Sequence, residues 1–270
     1  MPPITRILSD LHFGHKSSVV REWSQIAPLM EGADRILFNG DTVEMRFLEE
    51  REKAFADADA LRQLCEQAGA GTVFLTGNHD PLLTDIHLME LAGGAVMVTH
   101  GDILFPGLSP WSSEARRLIE AHTRELAALE KPDDLASQLA AMRRAALALE
   151  HLGETFRRQQ KPGLLRAVQH HIWPPWRPLS IVVAWMRTPS LANTLAARHA
   201  PHTRFVALGH THFSGIWRCG KRIIINTGGF LPLARRLAID LEDQTLTVRE
   251  IVSKGGLFRF GRVVARFENL

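Results

Sequence analysis

The sequence predicts an α/β fold that is interrupted by a helical insertion. Over the first hundred residues, short apolar segments typical of strands alternate with a helical segment, whereas in the middle of the chain leucines recur at helical spacing. Hydrophobic residues make up 45% of the 270 residues and charged residues 23%, which is ordinary for a globular protein with a sizeable core. This composition excludes a chain that is disordered overall.

The predicted strands fall into two groups. The first group comprises residues 5–9, 35–39, 71–76 and 95–99, and the second comprises 204–208, 223–225 and 236–239. Residues 49–68 lie between the second and third strands and are rich in Ala, Leu, Glu and Arg, which favour a helix. Alternation of this kind predicts a sheet with crossover helices.

The middle of the chain is predicted to be the insertion. It covers residues 111–200 and leaves 1–110 and 201–270 as the core. Apolar residues at helical spacing predict one helix over 114–130, and a second helix is expected to begin at Asp133, which can cap it. Five prolines are expected to break the rest of the insertion into short pieces. They are Pro162, Pro174, Pro175, Pro178 and Pro189.

The charge of the chain is unevenly distributed. The net charge is only +3, but residues 155–239 contain 13 Lys or Arg and no Asp or Glu. This pattern fits either a generic basic surface or a surface that meets an anion. Such an anion would be a phosphorylated substrate, an acidic lipid or nucleic acid.

Other features of the sequence bear on its location. Cys65 and Cys219 belong to no metal-type spacing, and we expect both to be reduced. The most apolar run, 179–186, is too short to cross a bilayer, which takes about 20 residues. The first residues also lack the apolar stretch of a secretory signal. We therefore expect a cytoplasmic protein.

Five short polar blocks carry the chemistry, and each follows a predicted strand. They are Asp10-Leu-His12, Gly40-Asp41, Gly77-Asn78-His79-Asp80, His100-Gly-Asp102 and Gly209-His210-Thr211-His212. Functional groups gather where the strands of α/β sheets end, so we expect the blocks to meet. Taken singly, each block fits a structural turn or a cap, but the set in this order predicts one site.

The residue types of these blocks suit divalent metal ions. Carboxylates, imidazoles and an amide oxygen are ligands for manganese, iron or zinc. Two cations about 3.5–4 Å apart need a shared anionic ligand. Asp41 is the natural bridge, because it is a lone carboxylate beside Gly40, and a glycine lets backbone approach closely.

Across residues 5–102 and 204–230, the five blocks resemble the signature of the calcineurin-like metallophosphoesterases, and every block is complete. The resemblance implies a two-sheet α/β sandwich with two divalent metal ions at its top, manganese being expected ahead of iron or zinc. It also implies the two ligand sets. One metal is held by Asp10, His12, Asp41 and His212, and the other by Asp41, Asn78, His100 and His210.

The same resemblance implies the activity. A hydroxide that bridges the two metals attacks phosphorus in line and breaks a phosphoester or pyrophosphate bond. His79 is implied to face the phosphate as an acid or charge stabiliser, with Asp80 orienting it. Neither cysteine lies in a block, so no phospho-enzyme is expected.

One branch of this family is similar in more detail. Glu44 stands three positions after Asp41, and the helical insertion follows the block that ends at Asp102. This arrangement resembles the UDP-2,3-diacylglucosamine pyrophosphohydrolases of lipid A synthesis. In that branch the insertion forms a lid that takes the acyl chains.

The insertion offers an apolar surface for such a role. Trp173, Trp176 and the run 179–185 are flanked by arginine, a combination typical of a membrane interface. The same apolar residues fit internal packing of the insertion equally well. The branch usually has arginine where this chain has His79, so the identity of the substrate stays open.

Three interpretations follow. The first is a pyrophosphatase that acts on a lipid- or nucleotide-linked substrate, with peripheral contact to the anionic cytoplasmic face of the inner membrane. The second is a broader phosphatase, phosphodiesterase or nuclease; nucleic acid is less expected, because few aromatic residues interleave with the basic ones. The third is a non-catalytic metal-binding scaffold, against which the complete ligand set and His79 argue.

Overall fold

The computed structural model describes residues 2–46, 48–105, 115–131, 133–157 and 176–270. Several residues singled out in the sequence lie outside this part of the chain, namely Pro162, Trp173, Pro174 and Pro175. The same holds for the side chain of Trp176.

Eleven strands of the described residues form two sheets. In chain order they are β1 (Ile4–Leu8), β2 (Arg35–Asn39), β3 (Gly71–Leu75), β4 (Leu88–Leu91), β5 (Val96–Thr99), β6 (Phe205–Leu208), β7 (Gly215–Cys219), β8 (Arg222–Asn226), β9 (Arg236–Glu242), β10 (Thr245–Lys254) and β11 (Leu257–Glu268). The first sheet has the order β11-β10-β9-β1-β2-β3 and the second the order β4-β5-β6-β8-β7. β1, β2 and β3 are parallel, and so are β5, β6 and β8.

Helices cover both outer faces of this pair of sheets. They are α1 (Arg51–Gln67), α2 (Ala115–Ala127), α3 (Leu135–Arg157) and α4 (Trp176–His199), with 3-10 turns at Trp23–Leu29, Leu48–Glu50, Ala92–Gly94 and Asp102–Leu104. α1 buries Ala54, Ala58, Leu61 and Cys65, whose spacing forms one apolar stripe. It ends before Gly69, whose positive φ of 79° suits glycine at a helix end.

Alternate residues of the parallel strands make the core between the sheets. Ile7 and Leu37 of the first sheet share one buried apolar cluster with Val98, Ala207 and Ile225 of the second. Because side chains alternate along a strand, the neighbours of these residues point to the outer faces. The sequence of each parallel strand is therefore apolar on both sides.

Each sheet packs a helical layer on its outer face. Phe38 of β2 lies in one apolar cluster with Leu61 of α1. Ile224 of β8 lies in another with Leu139 of α3 and Ala192 of α4. The result is a four-layer α/β/β/α sandwich, which confirms the predicted fold class.

The structure differs from the sequence expectation in three places. Asp134 rather than Asp133 caps α3, since it accepts a hydrogen bond from the backbone N–H of Ser137 at 2.9 Å. The strands β4, β7, β10 and β11 were not expected; the last two form a hairpin that extends the first sheet. Pro178 and Pro189 do not break the chain, since both lie inside the continuous helix α4. Pro178 occupies the first turn, where a helix needs no backbone N–H from it. Pro189 is buried, so packing against the second sheet holds the helix together there.

The helices of the middle segment bear on the expected insertion. α2, α3 and α4 all follow β5 and precede β6, while the limits 111–200 stay a prediction. None of the helices in the described residues has the length and hydropathy that a bilayer-spanning segment requires.

Candidate metal centre

The five polar blocks stand at the carboxyl ends of five parallel strands. They follow β1, β2 and β3 in the first sheet and β5 and β6 in the second. Parallel strands direct these ends to the same edge of a sheet, and the two sheets face each other across the core. The topology therefore brings all five blocks to one edge of the sandwich.

Four side chains converge on the first candidate metal position. Ligand atoms of Asp10, His12, Asp41 and His212 all lie within 4.8 Å of one another. Nε2 of His12 lies 2.9 Å from Nε2 of His212, which in turn lies 3.2 Å from Oδ1 of Asp10. Two imidazole nitrogens that face each other beside carboxylates form a donor set that suits a divalent cation.

A second group of ligand atoms shares Asp41. Atoms of Asp41, His100 and His210 also lie within 4.8 Å of one another. The ring of His100 donates from Nδ1 to the backbone oxygen of Asn39 at 3.0 Å, which leaves Nε2 as the nitrogen that faces Asp41. That Nε2 lies 3.3 Å from Oδ2 of Asp41.

Two buried atoms of this second group have no hydrogen-bond partner among the described residues. They are Nε2 of His100 and Oδ1 of Asn78. Buried polar atoms are normally paired, so an unpaired nitrogen or oxygen atom at such a place fits a metal ligand. Asn78 follows Gly77 and precedes His79, whose backbone N–H donates to Oδ1 of Asp41 at 2.8 Å.

Asp41 is the carboxylate common to both groups. Its side chain is buried, and burial alone would raise the pKa of the carboxyl. The charges of His100 and His79 outweigh that effect and hold the pKa well below its usual range. Asp41 therefore stays ionised inside the protein, as a bridging anionic ligand must.

The imidazoles of the two groups of ligand atoms also have shifted pKa values. Burial would lower the pKa of His100, but the nearby charge of Asp41 raises it to about 10. In contrast, burial and the charge of His79 lower the pKa of His12 well below its usual value. Without a bound cation, the imidazole of His100 is therefore protonated in the second group, whereas that of His12 is neutral in the first group.

Five of the candidate ligand residues have a left-handed backbone conformation. Among the described residues, nine non-glycine residues have a positive φ, and five of them belong to the candidate ligand set. They are Asp10 (54°), His12 (49°), Asp41 (51°), His210 (65°) and His212 (55°). This left-handed region is sparsely populated by residues with a Cβ and marks functional sites. It lets consecutive short loops turn their side chains inward.

Two motif glycines leave room for the carboxylates. A Cβ added to Gly77 would lie against Oδ1 and the backbone nitrogen of Asp41. A Cβ added to Gly209 would lie against Oδ2 of Asp10. Gly77 and Gly209 are therefore required by close approach rather than by turn geometry, since neither has a positive φ.

His79 lies at the mouth of the site. Its ring stands edge-on to that of His12, with centroids 4.6 Å apart, and its side chain is 14% exposed. Nδ1 of His79 lies 2.9 Å from Oε2 of Glu44. Burial would raise the pKa of Glu44, but the charge and hydrogen bond of His79 keep it lowered, so Glu44 is ionised. Nδ1 of His79 then donates to Glu44.

Asp80 has a different position from the one expected for it. Its buried carboxylate accepts hydrogen bonds from the backbone N–H groups of Asp41 (3.0 Å), Thr42 (2.6 Å) and Gly77 (2.6 Å). The side chain points into the protein, toward the loops that carry Asp41 and Asn78, whereas Glu44 is the group bonded to the His79 ring. Burial and the charge of Asp41 raise the pKa of Asp80 to about 6.

Two residues near the site were not assigned a role from the sequence. Glu44 was noted only for its spacing from Asp41, which is the signal that could have revealed its contact with His79. His15 belongs to no block, yet its ring centroid lies 6.0 Å from that of His79. Burial lowers the pKa of His15 to about 4, so the ring is neutral near pH 7.

An apolar groove adjoins the loop between the two histidine ligands of the last block. The indole N–H of Trp185, on α4, donates to the backbone oxygen of Thr211 at 3.0 Å. The same ring stacks on Phe213, with centroids 4.7 Å apart. The groove has a volume of about 430 Å³, and Met186 and Trp217 also line it.

The chain matches no family model and no curated protein. Among solved structures it is similar to a dimetal phosphatase from Danio rerio, with 11% identity, coverage of 100% of this chain and 99% of that chain, and a TM-score of 0.49. It is similar to Vps29 from Chaetomium thermophilum, with 10% identity, coverage of 99% and 100%, and a TM-score of 0.46. It is also similar to a predicted phosphoesterase from Streptococcus pneumoniae, with 13% identity, coverage of 97% and 98%, and a TM-score of 0.40.

Proposed function

We propose that this chain is a calcineurin-like metallophosphoesterase that hydrolyses a phosphoester or pyrophosphate bond with two divalent cations. One observation carries the proposal: two groups of ligand atoms share the ionised carboxylate of Asp41. The unpaired buried atoms of His100 and Asn78 support it, because both fit a cation. The complete set of five blocks supports the family.

The candidate residues would have different roles in the hydrolysis. Two divalent cations, when bound, supply charge neutralisation on the phosphoryl oxygens and an activated water as nucleophile. Asp41 holds the two positions together, and the remaining ligands fix each position separately. His79 presents Nε2 at the mouth, where it can donate a proton or a hydrogen bond, and Glu44 fixes the ring. Cys65 is buried beside Met30 and Cys219 lies on β7, so neither offers a nucleophile at the blocks.

The ligand chemistry bears on the metal. The candidate set contains four imidazoles, two carboxylates and one amide oxygen, and no thiolate. Such mixed nitrogen and oxygen sets suit manganese, iron or zinc rather than calcium or magnesium alone. We propose manganese first, with iron or zinc as the alternatives.

Hydrolysis assays with added metal test the function. Metal-depleted protein supplied with Mn²⁺ should cleave a chromogenic phosphodiester or phosphomonoester, and a chelator should abolish the turnover. The panel should also contain a UDP-linked acylated sugar beside its deacylated form. A protein that binds two Mn²⁺ ions and cleaves none of these compounds would support the scaffold interpretation instead.

A finer substrate class is a lipid-linked nucleotide, with UDP-2,3-diacylglucosamine in lipid A synthesis as the candidate. The groove beside Thr211 favours it, because an apolar surface lined by Trp185 and Phe213 adjoins two candidate ligands. On this proposal the acylated UDP-sugar is cleaved faster than the deacylated one. Equal rates on both would favour the broader phosphatase.

A membrane surface is the proposed partner. Leu179, Val182, Val183 and Met186 recur at i, i+3, i+4 and i+7 along α4 and are all exposed, Met186 by 76%. They form one apolar face, and the chain from 155 to 239 around it has no acidic residue. Basic residues near an anionic bilayer contribute about 1 kcal/mol each.

We expect the protein to co-sediment with anionic vesicles at low salt and to leave them as salt rises, because ions screen these charges. Met186→Asp should weaken the binding by removing apolar burial. Phe55→Asp is the matched control, since Phe55 is an exposed apolar residue of α1, on the opposite outer layer. Equal sedimentation of all three proteins would remove the apolar face of α4 from the proposal, and no sedimentation at low salt would remove the membrane.

A further inference from the structure

One buried arginine of the middle segment joins the two sheets at the metal centre. Arg143 lies on α3 and is only 3% exposed. Its Nε donates to Oγ1 of Thr76 at 2.9 Å, and its Nη2 donates to the backbone oxygen of Thr76 at 3.0 Å. The same guanidinium pairs with both carboxylate oxygens of Asp102, from Nη1 to Oδ2 and from Nη2 to Oδ1.

The two anchors of Arg143 flank the second group of candidate ligands. Thr76 follows β3, at the edge of the first sheet, and stands two residues before Asn78. Asp102 follows β5 of the second sheet and stands two residues after His100. The guanidinium therefore spans the loops that present these two ligands, although the ligands come from different sheets.

The chemistry of the contact favours arginine specifically. The side chain of Asp102 is fully buried, so its negative charge needs a partner inside the protein. A planar guanidinium satisfies the carboxylate with two bonds and still reaches Thr76, which an ammonium cannot do in one geometry. Oγ1 of Thr76 also lies 2.7 Å from Nδ1 of His87, so the loop is held from both sides.

We propose that Arg143 is a positioning residue that holds Asn78 and His100 at metal-binding distance and so couples α3 to one of the two metal positions. The inference rests on the proposed function. The first position, formed by Asp10, His12 and His212 with Asp41, receives no contact from Arg143 in the part of the chain that the structure describes.

Metal binding rather than turnover provides the test. Mn²⁺ titration of metal-depleted protein by calorimetry should show two sites in the wild type. In Arg143→Lys and Arg143→Gln, one site should weaken by about 10–100-fold, the usual effect of losing a contact that orients a ligand. The other site should keep its affinity.

Arg222→Gln is the matched control. Arg222 is also buried, 4% exposed, and also fastens a helix of the middle segment, through Oδ1 of Asn193 on α4 at 3.3 Å. It lies at the beginning of β8, whereas the candidate site lies beyond the ends of the parallel strands. Both Mn²⁺ affinities should stay unchanged in this variant. Equal weakening in Arg222→Gln and Arg143→Gln would reduce Arg143 to a structural residue and overturn the inference.

A pair of backgrounds assigns the weakened site. With Asn78→Ala and His100→Ala both present, Arg143→Gln should leave the affinity of the remaining Mn²⁺ site unchanged, because both ligands that it orients are gone. With His12→Ala present, Arg143→Gln should weaken the remaining Mn²⁺ by its full factor. The reverse pattern would place the effect of Arg143 at the first position and overturn the proposal.

Folding is controlled separately. Arg143→Gln leaves the carboxylate of Asp102 buried and unpaired, so the double variant Arg143→Gln with Asp102→Asn keeps a polar pair without either charge. Circular dichroism should show a folded protein, and the same site should be weakened. A wild type that binds fewer than two Mn²⁺ ions would overturn the proposed function. A wild type that binds two, with Arg143 variants that bind both as tightly, would overturn only this inference.

Discussion

Asp41→Asn is expected to remove most of the activity and at least one of the two metal ions. The residue is the carboxylate that both ligand groups share, and a neutral amide cannot balance the charge of two cations. A metal ion contributes several kcal/mol of transition-state stabilisation, so the loss should be roughly 10³-fold or more. Metal analysis of the purified variant, together with its rate on a chromogenic phosphodiester, measures both effects.

A buried aspartate outside the site serves as the control. Asp240 is 5% exposed and pairs with Arg6 at 2.7 Å, so Asp240→Asn also removes a buried negative charge. That variant should lose stability but keep two metals per chain. If Asp41→Asn retains two metals and wild-type turnover, Asp41 is not the bridge.

His79→Ala should keep both metals and lose roughly 10²–10⁴-fold in rate, which is the usual contribution of a positioned acid. The ring stands beside His12 but belongs to neither ligand group, and its Nδ1 is bonded to Glu44. Rates and metal content should be measured on the same preparation. Loss of a metal in this variant would make His79 a ligand.

Two further substitutions sharpen the test on His79. Glu44→Gln should lower the rate by a smaller factor, because the ring stays in place while the ionised acceptor that fixes its proton is gone. His202→Ala removes an exposed imidazole from the turn after α4 and should leave the rate unchanged. An effect of Glu44→Gln larger than that of His79→Ala would show that Glu44 acts on more than this ring.

The position of the site could be predicted from the sequence because each polar block is contiguous in the chain with the strand that positions it. Each block is short, follows an apolar strand and contains ligand types, so strand pattern and topology together place Asp10, Asp41 and His210 at one edge. Side-chain direction does not follow from this contiguity. Asp80 is adjacent to His79 in the chain, yet the loop turns its carboxylate back onto backbone amides, and the orienting contact comes from Glu44.

Long-range partners and an interrupted strand pattern explain the remaining differences. Arg143 reaches Asp102 across 41 positions, and no periodicity links the two. β11 has apolar residues at alternate positions, but the alternation is interrupted near Gly261, where the register with β10 shifts. Pro189 lies in a helix that local propensity alone would end, because contacts with the second sheet compensate for the lost backbone donor.

The left-handed backbone at five candidate ligands means that the residues needed for metal binding lower the stability of the fold. Each such residue costs about 1 kcal/mol or more relative to a glycine in the same place, so the fold would gain stability from substitutions that remove its ligands. Selection for folding stability alone would therefore replace these candidate ligands before other residues. Cations that bind only the folded chain offset the cost by mass action. The free energy of unfolding is therefore larger for the metal-bound protein than for the metal-free protein.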